Sequence, residues 1–120
     1  MNYQNILHEF FPTLPAIKLI WGKHGKYGKQ KSIRLASFWP RKKEIIIHPF
    51  LNENPIPLFY IEYLIFHELC HAYLIFTGKA INAKQHGPEF SELENQFPQI
   101  EKAMQWEKND LPSILKDSLK

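Results

Sequence analysis

The chain has 120 residues, 44% hydrophobic and 22% charged, with a formal net charge of +3 and one cysteine. That size suits a single domain, residues 1–120, with a core of its own. One cysteine excludes an internal disulfide and any cysteine-built zinc ribbon, and it fits a reducing compartment. The N-terminal stretch, Met1 to Glu9, has no basic start and no uninterrupted apolar run. It does not read as a secretory signal, so the expected location is the cytoplasm.

Taken in order, Ile6, Leu7, Phe10 and Phe11 form a one-sided helical pattern that Pro12 stops. Ile17 to Trp21 is short and apolar and predicts a strand. Gly22 to Gln30 is rich in glycine, lysine and histidine and predicts a loop. Ser32 to Trp39 alternates and predicts a second strand. Pro40 to Lys43 is a basic turn, and the β-branched run Ile45-Ile46-Ile47 predicts a third strand. These strands are expected to form a small, largely antiparallel sheet.

The next helix is expected to start with Asn54 as cap and Pro55 at the first helical position, to run to about Phe76, and to end at Gly78. Its apolar run is long enough to suggest a membrane span. Glu62, His67, Glu68 and His71 lie inside it, and a central acid costs roughly 2.5–3.5 kcal/mol in a bilayer. A buried helix crossing a globular core fits better, and no membrane partner is expected. Gly87-Pro88 opens a further helix, which Phe97-Pro98 breaks. Gln99 to Lys108 predicts another helix, and Asp110 caps a last amphipathic turn or two. The fold class is α+β: the sheet packs on the central buried helix, and the later helices close over it.

That central helix carries His67-Glu68-Leu69-Cys70-His71, an H-E-x-x-H pattern. Positions i and i+4 share a helix face, so His67 and His71 can present two imidazoles to one metal ion. Glu68 projects about 100° around the helix, where it can reach a metal-bound water without being a ligand. His86 follows at the start of the next helix and supplies a third imidazole. Zinc in hydrolases takes three protein ligands and leaves one position open. His67, His71 and His86 fit that set, with Zn2+ as cofactor and Glu68 as catalytic base. The bland reading makes the two helical histidines ordinary core residues and Glu68 an ordinary helix acid. Against it, two imidazoles and a carboxylate are costly on so apolar a helix unless they have a task.

Neighbouring residues have their own readings. Glu89 and Glu92 follow His86 closely; either can orient a ligand imidazole, Glu89 can replace His86 as ligand, or both can be solvated acids at a helix start. Cys70 lies between the ligands and reads as a small core residue. His48 reads as a strand end, with a place beside the metal as the alternative. The acid-free segment Lys23, His24, Lys26, Lys29, Lys31, Arg34, with Tyr27 interleaved, makes the loop 23–34 an expected contact for DNA through charge and stacking, or else a solvated loop.

The run His67-Glu68-Leu69-Cys70-His71-Ala72-Tyr73-Leu74, followed by His86-Gly87-Pro88-Glu89-Phe90, resembles the SprT-like metalloprotease domain. The resemblance covers roughly residues 17 to 105. It implies a zincin-like fold and a zinc metallopeptidase that hydrolyses peptide bonds in protein substrates. His67, His71 and His86 match the family's ligands and Glu68 its catalytic glutamate. The family includes a protease of DNA–protein crosslinks, so DNA-associated proteins enter as expected substrates. Many members carry a cysteine-rich zinc module after the protease domain, and these 120 residues hold one cysteine. The alternative function is a zinc-stabilised module that binds nucleic acid with little or no proteolysis.

Overall fold

The structure is a computed structural model of the chain, and it describes residues 3–22, 35–79 and 86–118. The basic loop 23–34, including the first part of the second expected strand, lies outside the described residues. In chain order the elements are α1 (Tyr3–Phe10), β1 (Lys18–Trp21), β2 (Ala36–Trp39), β3 (Glu44–Ile47), α2 (Phe50–Glu53), α3 (Leu58–Phe76), α4 (Pro88–Glu94), α5 (Ile100–Asn109) and α6 (Leu111–Ser118).

The α+β class holds, and the strand arrangement differs from the expected one. The sheet has three strands in the order β1-β3-β2. β2 and β3 are antiparallel, with Phe38 opposite Ile45, whereas β1 runs parallel to β3, with Leu19 opposite Ile45. The sheet is therefore mixed. The turn Pro40–Lys43 joins β2 to β3 as a hairpin, with Lys43 N–H donating to the Pro40 carbonyl and Lys43 at φ 53°. β3 takes the centre because it is the most apolar strand. Its Ile45 and Ile47 are buried on the helix side and Ile46 is half-buried on the other, as suits a strand paired on both edges.

α3 is the axis of the domain. Eleven of its side chains are buried: Tyr60, Glu62, Tyr63, Ile65, Phe66, Glu68, Leu69, Cys70, His71, Ala72 and Leu74. Phe66 is fully buried between α1 and the turn after α4, with ring centroids 5.1 Å from Phe10, 5.3 Å from Phe11 and 5.3 Å from Phe97. Phe38 of β2 meets Phe76 at 5.9 Å, which lays the sheet against the C-terminal half of α3. Tyr60 stacks on Trp106 at 4.7 Å and its hydroxyl donates to Glu107 Oε1 at 2.9 Å, so α5 is fastened to the N-terminal half.

The ends of α3 follow local chemistry. Its N-cap is Pro57, not Asn54, because Ile56 precedes a proline and is kept out of the helical region. Asn54 instead closes α2, donating through Nδ2 to the Phe50 carbonyl at 3.0 Å. At the other end Gly78 takes φ 76° and donates to the Ile75 carbonyl, while Lys79 donates to that of Leu74. That is a Schellman ending, in which the left-handed residue turns the chain and satisfies the orphan carbonyls. No helix among the described residues is long and apolar enough to cross a membrane.

Candidate metal centre

α3 contributes two imidazoles one turn apart, with the rings of His67 and His71 5.0 Å between centroids. α4 contributes the third from just before its start. Gly87 is the extended N-cap, Pro88 occupies the first turn, and His86 stands immediately ahead of them. The His86 ring lies 5.4 Å from that of His67 and 4.6 Å from that of His71. One potential ligand atom from each of the three lies within 4.8 Å of the others. Nitrogens bound tetrahedrally to zinc at about 2.1 Å sit about 3.4 Å apart, a separation small ring rotations can reach. Three imidazoles brought to one point suit a divalent metal ion.

The site is graded from dry to wet. His71 is buried, His67 is half-buried and His86 is exposed. A metal ion would therefore reach the set from the His86 side. The floor is Phe90, buried in α4, whose ring lies 4.9, 4.5 and 4.8 Å from His67, His71 and His86. One aromatic side chain thus packs against all three rings and limits how far each can turn. Glu68 is 3% exposed, beside His67 on α3. A glutamate next to His67 in sequence is thus held inside the core, out of bulk water.

One acid in contact with a histidine is a residue that sequence reasoning did not single out. Glu94 Oε2 lies 2.5 Å from His67 Nδ1. Glu89 and Glu92 are solvent-exposed and line an open depression between the end of α3 and α4, with Tyr73, Lys79 and Gln96. The signal for Glu94 was present as spacing. Phe90 and Glu94 are one turn apart on α4, so they share a face, and the burial of Phe90 marks that face as the inward one. The Tyr63 phenol is pushed up chiefly by burial, with the Glu94 and Glu107 charges and a hydrogen bond to Glu94 adding to the effect.

Cys70 is fully buried, and burial pushes its thiol up, helped by the Glu94 and Glu68 charges. It packs as a core residue and is unsuited to nucleophilic work at neutral pH. His48 lies one residue past the end of β3, and its Nδ1 accepts from the Phe50 amide at 2.9 Å, which stabilises the start of α2.

Residues 2–110 match the model of the SprT-like family. No curated protein matches the chain, and no solved structure does.

Proposed function

Because this chain belongs to the SprT-like family and brings three histidines to one point, we propose that it is a zinc-dependent metallopeptidase with His67, His71 and His86 as ligands and Glu68 as general base. The observation that carries the reading is the convergence of those rings beside a buried glutamate. A zinc ion held there supplies Lewis acidity, making water easier to deprotonate near neutral pH and polarising a peptide carbonyl. Glu68 accepts the proton from the attacking water and passes it to the leaving amine. Phe90 holds the three imidazoles against rotation.

β2 is the strand packed beside α3, and its described pairing partner is β3. An extended peptide that paired along its outer edge would lie across the site, with backbone hydrogen bonds setting its depth. The loop 23–34 follows β1 and precedes β2 in sequence, and its lysines suit contacts to DNA phosphates. DNA-associated proteins are therefore the substrate class we favour. With one cysteine, the domain is suited to the cytoplasm.

The deciding experiment pairs zinc content with cleavage of an unfolded protein substrate, with and without DNA, in wild type and Glu68→Gln. Wild type should hold about one zinc ion and cleave. The variant should hold zinc equally and cleave at least about a hundredfold more slowly, the lower end of a general base's usual contribution. Equal cleavage by the variant overturns the mechanism. Zinc binding without cleavage by either protein, with or without DNA, favours a binding module.

A further inference from the structure

The contact between His67 Nδ1 and Glu94 Oε2 has a direct consequence for the metal centre. A carboxylate accepts hydrogen bonds, so the proton of the neutral imidazole sits on Nδ1. The lone pair is then left on Nε2, the nitrogen farther from the backbone. The bond therefore selects the tautomer as well as the rotation of the ring. It forms where water is partly excluded: the two side chains are 27% and 12% exposed. There a charge-assisted bond holds its geometry better than at a wet surface.

Glu94 is also placed to link ligands that come from different elements. It shares a face of α4 with Phe90, one turn away, and it bonds the first histidine of α3. Tyr63, one turn before His67, feels the charge of the same carboxylate, which helps raise its phenol. The arrangement of His67 and the docking of the segment that carries His86 share one side chain.

We propose that Glu94 is a positioning residue of the metal centre, holding the His67 ring with Nε2 toward the ion and tying α4 to α3 so that His86 arrives in place. The proposal rests on the three-histidine metal reading, and the experiment separates the two. Zinc affinity of the full chain is measured by competition with a chromophoric chelator in wild type, Glu94→Ala, Glu94→Gln, Glu92→Gln and His86→Ala. Imidazole nitrogens are assigned by 15N–1H correlation in the zinc-loaded protein. Glu94→Ala should bind zinc about ten- to a hundredfold more weakly. Glu94→Gln, which retains an acceptor oxygen, should fall between Glu94→Ala and wild type. Glu92→Gln should match wild type. The wild-type His67 should carry its proton on Nδ1, protected from exchange with water.

Glu94→Ala within twofold of wild type overturns the proposal and leaves the metal site standing. Zinc-bound wild type with the His67 proton on Nε2 overturns it without any variant, even if Glu94→Ala fails to fold. A wild type whose zinc affinity is negligible and equal to that of His86→Ala overturns the metal reading itself.

Discussion

Phe90→Ala tests how α4 is held. α4 has seven residues, too few for a helix to stand alone in water, so it exists by docking. Phe90 is 3% exposed and meets three imidazoles at 4.5–4.9 Å. Truncating a phenylalanine this deep costs about 3–5 kcal/mol through lost transfer energy and the cavity left behind. For a chain of this length the unfolding entropy converts that loss to about 12–20 °C in Tm. The more telling readout is zinc affinity measured well below the melting point. Without Phe90, α4 loses its main apolar anchor, and His86 goes with it. Phe97→Ala is the control: that ring is equally buried and packs on Phe66 and Tyr63, and no described contact joins it to a histidine. Calorimetry and chelator competition on both variants should show similar losses of Tm, with affinity falling chiefly in Phe90→Ala. The reasoning fails if Phe90→Ala binds zinc as wild type does, or if both variants lose affinity equally.

Two further outcomes follow from the fold. The Tyr60 phenol is raised from its ordinary value of 10.0 first by burial, then by the Glu107 charge and the hydrogen bond to it. Below that pH both folded and unfolded chains keep the proton. Above it only the folded chain does, so stability falls as pH rises, by up to about 1.4 kcal/mol per pH unit for one such group. Tyr60→Phe should cost about 1 kcal/mol at neutral pH by removing the donor to Glu107, and urea unfolding between pH 8 and about 11 should show the deficit shrinking; parallel curves would contradict the burial argument. Gly78→Ala should cost about 1 kcal/mol in the same assay, because Gly78 sits at φ 76°. Gly87→Ala should be near neutral in stability, since Gly87 has φ −81° and a Cβ there meets nothing within 4 Å.

The parts legible in the sequence are those encoded within a single element. His67 and His71 share a face because a helix has a fixed period, and Gly78 ends α3 because a left-handed residue is wanted there; neither needs a partner to be known. His86 was legible for a similar reason, since Gly87-Pro88 announces the start of a helix and the histidine stands just ahead of it. The order β1-β3-β2 was not legible. Short apolar strands carry the same alternation whether they pair parallel or antiparallel, and only the hairpin at Pro40–Lys43 has a local code. The start of α3 was misread at Asn54 because two prolines compete there, and the restriction that Pro57 places on Ile56 outweighs the capping preference of Asn54.

The three acids of α4 show where the boundary lies. Glu89, Glu92 and Glu94 have the same chemistry and follow His86 closely; Glu89 and Glu92 read as imidazole-orienting groups or solvated acids at a helix start, and Glu94 is not singled out by the sequence. Only position 94 shares a face with Phe90, one turn away, and that face gains meaning once Phe90 is known to pack against α3. The contact between Glu94 and His67 is therefore not written in either helix alone. It follows from the apolar anchor that docks one helix on the other, so the polar geometry of the site is set by a hydrophobic residue. A search for the partners of a metal-ligating histidine in such a chain should start from the buried aromatic residue nearest the third ligand and step one turn along its face, before turning to the acids closest in sequence.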